Sequence, residues 1–201
     1  MSTLFNDSPC HRPSIAPYCD RVKALVTTQR FEHIMRVTQL SETIARANHF
    51  SKSELRATCL AAVLHDVARD LPDQKLLELA SPASEMEKSH PMSVHGRAGR
   101  KIVETWGISD ERILEAIEGH VFGVPFDNRV GMAVYIADVS EPARGVNNDI
   151  RELAMTNLFR AYQRAVDSKV NYLRSKGKVV HPVTLRVYQE LCSLGGGIIP
   201  S

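Results

Sequence analysis

Residues 61–64, Ala61-Ala62-Val63-Leu64, close an apolar run, and His65 and Asp66 come next. A helix apolar on nearly every side belongs in a core. This one stops being apolar at two side chains that can bind a metal. Successive helical residues point about 100° apart, so one segment can aim both groups at one centre or at two neighbouring centres. Ala62, one turn back, is small enough to leave room. Taken alone, a His-Asp dipeptide reads as a helix ending in a polar loop. The placement of four further side chains changes that reading.

Helical spacing recurs along the chain and strand-like alternation does not, so the sequence predicts an all-α protein. A short helix is expected from about Asp20. Residues 30–50 form an amphipathic helix with Val37, Leu40, Ile44 and Ala47 on one stripe, and His33 stands four residues before Val37. Ser51-x-x-Glu54 is a capping box for the helix carrying Leu55, Cys59, Ala62 and, on the same stripe, Asp66. Leu71-Pro72-Asp73 opens a short helix to about Ala80, and residues 81–92 read as a polar loop. His95 opens a helix whose stripe continues through Ala98, Ile102 and Trp106. Gly96 and Gly99 are poor helix formers and leave space for a metal, a phosphate or another helix. Ser109 or Asp110 caps a helix with Ile113, Ala116 and Ile117 on its stripe and His120 as the next step. A loop from Val121 to Asn128 leads to the apolar run Gly131–Ala137, where Asp138 follows Val134 by four residues. One long helix is expected over 149–176, ended by Gly177. A last one starts at His181-Pro182 and stops before Gly195-Gly196-Gly197.

His33, His65, Asp66, His95, His120 and Asp138 therefore each continue an apolar stripe at or near a helix end. Aspartate is rarely buried unless it is paired or metal-bound. A divalent cation offsets the cost of burying this set and holds the imidazoles neutral. Imidazole and carboxylate donors without cysteine suit Fe, Mn, Zn, Co or Ni. Six protein ligands exceed what one catalytic metal takes, because it must keep a position open. The set therefore predicts two metals about 3.5–4 Å apart, with Asp66 the natural bridge.

Composition excludes several other classes. The chain has 201 residues, 43% hydrophobic and 24% charged, with a net charge of +2. That charge is too mild to argue for nucleic acid. No run of 18 apolar residues predicts a membrane span, and no basic segment followed by an apolar one opens the chain. Cys10, Cys19, Cys59 and Cys192 show no CxxC spacing, which suggests free thiols in a reducing, cytoplasmic setting. Pro9, Pro13 and Pro17 mark residues 1–17 as a loose leader. Residues 18–194 are expected to form one domain and 195–201 a flexible tail.

The order His, His-Asp, His, His, Asp resembles the HD-domain phosphohydrolases in their extended form with two additional histidines. The matching segments are Arg30-Phe31-Glu32-His33, Leu64 through Pro72, His95-Gly96, Ile117-Glu118-Gly119-His120, Tyr135-Ile136-Ala137-Asp138, and Glu141-Pro142 followed by Arg144. With the tail Asn171-Tyr172-Leu173, Lys176-Gly177-Lys178 and His181-Pro182, the resemblance narrows to the YqeK family, symmetrical bis(5'-nucleosyl)-tetraphosphatases. It covers roughly residues 20–192.

This resemblance implies an HD-domain helical bundle that hydrolyses diadenosine tetraphosphate to two ADP with a metal-activated water. It implies two divalent transition metals, iron first, with Mn, Co and Ni compatible. Asp66, Arg69 and Asp70 take catalytic roles, and Arg69, Arg144 and His181 contact substrate. The partner is a small nucleotide, with no nucleic acid and no membrane; a homodimer is left open. Asp70 has a structural alternative as a cap of the next helix, and His181 as a histidine of a helix N-terminal turn. Arg30 reads equally as a phosphate contact or a solvated charge. Glu141 reads as a support behind the ligands, and Trp106 as core. The family often carries hydroxyl residues just after the fourth histidine, where Val121-Phe122 stand here, and the loop Gly145–Asn148 also differs. Both departures bear on substrate preference. The alternatives are an HD phosphohydrolase acting on another nucleotide (a dNTP, an NMP or a guanosine alarmone) and a non-catalytic nucleotide-binding scaffold.

Overall fold

A computed structural model describes residues 12–194. Most of the expected leader (1–11) and the whole expected tail (195–201) lie outside the described residues. Among the described residues there are eleven α-helices and two short 3-10 turns, and no strand. They are α1 (Ala16–Leu25), α2 (Thr28–Ala47), α3 (Lys52–Leu64), α4 (Asp73–Leu79), α5 (Glu85–Ser89), α6 (His95–Thr105), α7 (Glu111–Gly119), α8 (Arg129–Ser140), α9 (Asn148–Ala154), α10 (Leu158–Ser175) and α11 (Pro182–Leu194). The 3-10 turns span Pro91–Val94 and Pro142–Arg144. None of the described helices is long and apolar enough to cross a membrane.

The centre of the bundle is α8. Every residue from Val130 to Ala137 is buried, as expected for a helix apolar all round. Around it pack α2, α3, α7, α9 and α10. Ser51 and Glu54 close the predicted capping box at the start of α3. Asp110 caps α7 through the Arg112 amide.

Several boundaries differ from the sequence reading. The first helix begins at Ala16 rather than near Asp20, because Pro17 suits the first helical turn, where its missing N–H is not needed. The preceding segment is tied down: the Arg12 guanidinium donates to both Glu42 oxygens at 2.7 Å and to the Cys59 sulfur. The polar loop 81–92 contains α5, capped by Ser84, and the Pro91–Val94 turn. The helix expected over 149–176 breaks in two. Asn157 accepts from the Arg160 amide and caps a new helix, since short polar side chains compete with the helical ladder. Cys59 and Cys192 are free, but Cys19 is disulfide-bonded, contrary to the expectation of four reduced thiols.

The partner admitted by Gly96 is another helix. A Cβ built at Gly96 would lie 2.5 Å from the Glu118 carbonyl and 3.0 Å from the Ile117 carbonyl, so α6 rests directly on the α7 backbone. At Gly99 the closest atoms to a Cβ would be side-chain methyls of Ile117 and Val67, at 3.3 Å, with the His65 carbonyl in ordinary contact at 3.8 Å. The two glycines therefore respond differently to alanine. At both positions alanine gains about 1 kcal/mol of helix propensity. At Gly99 movable methyls can absorb the added atom. At Gly96 the backbone must separate, at roughly 1–3 kcal/mol. Gly96→Ala is expected to lower the melting temperature and weaken metal binding by shifting His95 away from His120, whereas Gly99→Ala stays near wild type. Thermal denaturation with and without added metal checks both; equal behaviour of the two variants contradicts the packing argument.

Candidate metal centre

Helix ends carry unsatisfied carbonyls, and three of the histidines exploit this in the same way. His65, the C-cap of α3, directs Nδ1 at the Ala62 carbonyl at 2.7 Å. His120, the C-cap of α7, directs Nδ1 at the Ile117 carbonyl at 2.7 Å. His95, following the Pro91–Val94 turn, directs Nδ1 at the Met92 carbonyl at 2.6 Å. A carbonyl can only accept, so each Nδ1 carries the proton and each Nε2 presents a lone pair. His33 reaches the same state through a carboxylate, with Nδ1 3.3 Å from Glu141 Oε1. Glu141 is itself held by Arg36 Nε at 3.1 Å.

All six expected ligands meet. They form two groups whose donor atoms lie within 4.8 Å of one another, His33–His65–Asp138 and Asp66–His95–His120. Asp66 spans them. Its Oδ1 is 3.2 Å from His95 Nε2 and 3.3 Å from His120 Nε2, while its Oδ2 faces His65 Nε2 at 3.6 Å and His33 Nε2 at 3.8 Å. Asp138 Oδ1 lies 3.1 Å from His33 Nε2.

The donor set fits divalent metals on two observations. His65 Nε2 is fully buried and has no hydrogen-bond partner, a costly state for a polar atom. His95 and His120 bring their Nε2 atoms within 2.9 Å, where two lone pairs repel unless a proton or a cation stands by them. The two groups could each hold a divalent cation.

The same crowding shifts protonation. Burial pushes His65 down to about 4 and lowers His95 as well. Burial alone would raise Asp66, but the imidazoles of His65, His120 and His95 outweigh it and hold the carboxyl well below its usual range. Asp138 is likewise held low against burial, by its close contact with His33 and the charges of His65 and Arg144.

Above these groups opens a cavity of about 720 Å³ lined by Arg30, Asp66, Arg69, His95, His120, Asp138, Arg144 and Lys169 among others. Arg30 Nη1 is 3.0 Å from Asp66 Oδ2, and Arg144 Nη2 is 2.6 Å from Asp138 Oδ1. The Arg69 backbone amide donates to the Asp66 carbonyl at 2.9 Å, while its guanidinium makes no hydrogen bond or ion pair to another described residue.

Two expected site residues are placed elsewhere. Asp70 lines no part of the cavity. Its Oδ2 accepts from the Thr27 amide and hydroxyl, both at 2.8 Å, and its Oδ1 is 3.7 Å from Arg30 Nε. It braces the start of α2 rather than capping α4. His181 is also outside the cavity. Its Nε2 is 3.2 Å from Glu87 Oε1, its Nδ1 accepts from the Val183 amide, and its ring stacks on Phe122. Phe122 thus packs away from the cavity and Val121 lines it. Trp106 is half-buried on a separate surface groove with Leu25, Leu71 and Leu79.

The comparisons with known proteins agree with this geometry. The HD domain profile matches residues 30–143. A Bacillus subtilis (strain 168) protein named bis(5'-nucleosyl)-tetraphosphatase, symmetrical, is 30% identical over 180 residues, 86% of this chain and 94% of its own. A Mycoplasma genitalium protein named probable nicotinate-nucleotide adenylyltransferase/Ap4A hydrolase is 33% identical over 153 residues. That match takes in 70% of this chain but 42% of the relative, so the chain spans about two fifths of its length. Among solved structures, a Clostridium acetobutylicum protein described as a "predicted HD superfamily hydrolase involved in NAD metabolism" superposes with a TM-score of 0.79 at 26% identity, covering 89% of this chain and 97% of its own.

A pH dependence follows for the metal-free protein. Unfolded His65 takes a proton below about 6.5, whereas folded His65 takes one only near 4. The unfolded state therefore binds more protons in this window, and stability falls as pH falls. The slope is about 1.4 kcal/mol per pH unit for one such group, or roughly 3 kcal/mol over the window. The depressed Asp66 and Asp138 act in the same direction at lower pH, since their contribution is lost on protonation. Denaturant titrations of chelator-treated protein between pH 7 and pH 4 measure this; a flat profile contradicts it.

Proposed function

This chain belongs to the HD domain family, and we propose that within it the protein is a metal-dependent hydrolase that cleaves diadenosine tetraphosphate symmetrically, to two ADP. One observation carries this reading: two adjacent metal-capable triads, both faced by Asp66, lie beneath a cavity that four cationic side chains line. The relatives named symmetrical bis(5'-nucleosyl)-tetraphosphatase support the substrate.

Hydrolysis of the central anhydride adds one water across the P–O–P bond, oxygen to one phosphorus, and each half leaves as ADP. When bound, a pair of divalent metals lowers the pKa of water towards neutrality and polarises the attacked phosphoryl oxygen. Iron is the metal this proposal carries, with Mn, Co and Ni meeting the same donor set. The chain supplies preorganisation. The carbonyls of Ala62, Met92 and Ile117 and the Glu141 carboxylate aim four imidazole lone pairs before any ligand arrives, as supports behind metal ligands do. Arg69, without an acidic partner among the described residues, is free to take a phosphate oxygen in a bidentate clamp. Arg30 and Arg144 approach the phosphate chain while balancing Asp66 and Asp138. Asp70 acts through Thr27 and Arg30 as a positioning residue, and His181 acts through the Phe122 stack on the loop after His120.

Incubation of metal-loaded protein with diadenosine tetraphosphate is expected to yield ADP as the sole nucleotide product. ATP plus AMP would mean asymmetric cleavage and overturn the assignment. Asp66→Asn should lower kcat by about 10³-fold or more while remaining folded, because a carboxamide cannot serve both triads. Arg69→Ala should lower kcat/KM by roughly 10²-fold. Wild-type activity in Asp66→Asn contradicts the two-triad reading.

A further inference from the structure

The HD domain profile ends at residue 143, and all six metal-capable side chains lie within it. The cavity above them extends beyond that segment. One of its walls is α10, which contributes Ala165, Ser168, Lys169 and Tyr172. These positions follow i, i+3, i+4, i+7, so they share one helical face.

Two side chains on this face stand out, each with one cation–π contact: Lys169 lies 5.7 Å from the Tyr135 ring, and Lys176 lies 5.9 Å from the Tyr172 ring. Four cations line the cavity, and two of them are paired with acids: Arg30 with Asp66 and Asp70, Arg144 with Asp138. Lys169 has no carboxylate within ion-pair distance among the described residues. Its amine donates to the Val121 carbonyl beside His120, which leaves donors of the ammonium group for a ligand. The Tyr135 ring adds its cation–π contact but no counter-charge, and a half-buried ammonium without one is unfavourable unless an anion completes it. Tyr172, at the mouth, is 58% exposed, and Val146, which lines the same cavity, is 53% exposed. An aromatic ring and an aliphatic side chain are left open to water at the rim of a pocket with a cationic interior. That graded chemistry, cation inside and aromatic outside, matches the polarity of a nucleotide.

We propose that the α10 face is the nucleotide-holding wall of the site, with Lys169 taking a phosphate oxygen and Tyr172 stacking on the base at the cavity mouth. This assignment rests on the hydrolase reading above and deepens it. It locates substrate selectivity outside the segment that holds the metals. Lys169 anchors one end of the bound ADP moiety and Tyr172 the other, so the pair fixes which phosphate lies over the metal-binding floor. Val146 closes the opposite side of the base.

The test separates base from phosphate and does not depend on turnover. ADP, tripolyphosphate and adenosine are titrated calorimetrically into Mn-loaded wild type, Lys169→Met, Lys169→Arg, Tyr172→Ala and Tyr172→Phe. Lys169→Met should weaken ADP and tripolyphosphate together by about tenfold, and Lys169→Arg should restore most of the loss. Tyr172→Ala should weaken ADP by about tenfold and leave tripolyphosphate unchanged, while Tyr172→Phe binds as wild type. Melting temperature and metal content should match wild type in the Tyr172 variants. Wild-type ADP affinity in either Lys169→Met or Tyr172→Ala overturns the proposal. So does equal loss of ADP and tripolyphosphate in Tyr172→Ala, which marks a structural role. If diadenosine tetraphosphate is not cleaved to ADP but this discrimination holds, the substrate assignment fails and the nucleotide wall stands.

Discussion

A buried carboxylate ringed by four imidazoles is the arrangement on which the rest of this protein depends. Asp66 is 3% exposed, and its two oxygens face different pairs of histidines. Removing a carboxylate from water costs several kcal/mol unless positive charge repays it. Arg30, 3.0 Å from Oδ2, and the imidazoles around the carboxylate supply part of that charge in the metal-free protein. The bundle therefore presents an electrostatic demand at its centre that divalent cations satisfy, and a set of helix ends placed to satisfy it.

The demand is met by local structure as much as by long-range packing. His65 and His120 end their helices, and each spends its Nδ1 proton on the carbonyl three residues back. The same contact satisfies a terminal carbonyl and fixes the tautomer, so helix termination and ligand preparation are one event. Gly96 then lets α6 settle on the α7 backbone, which brings His95 to His120. On the far side, Arg36, Glu141 and His33 form a relay from the surface to the second triad. The cations above this floor divide into two that balance the acids and two, Arg69 and Lys169, that stay available to an anion.

What could be read in the sequence followed from period and residue type. His33, Asp66, His120 and Asp138 continue apolar stripes at helical spacing, and such positions point inward whatever the helix packs against. The apolar run 131–137 marked the central helix for the same reason. Residues whose partners lie far away in sequence could not be read in this way. Asp70 sits before a proline-started helix, which suggested a cap there, but its partner is Thr27, 43 residues earlier. His181 precedes a proline in the same manner and is taken up by Glu87 and Phe122. Lys169 escaped notice because a lysine on an amphipathic helix ordinarily faces water. Only the 165–168–169–172 spacing hinted at a second lined face. The break at Asn157 was masked by helix-forming residues on both sides, where one capping side chain decided the outcome.

The central claim is that Asp66 joins two metal sites, one with His33, His65 and Asp138, the other with His95 and His120. Anomalous diffraction from crystals of manganese-loaded protein tests it most directly. Two peaks are expected to flank the Asp66 carboxylate, each against its own set of imidazole Nε2 atoms. A single peak confined to one triad, or none at full metal loading, would contradict it.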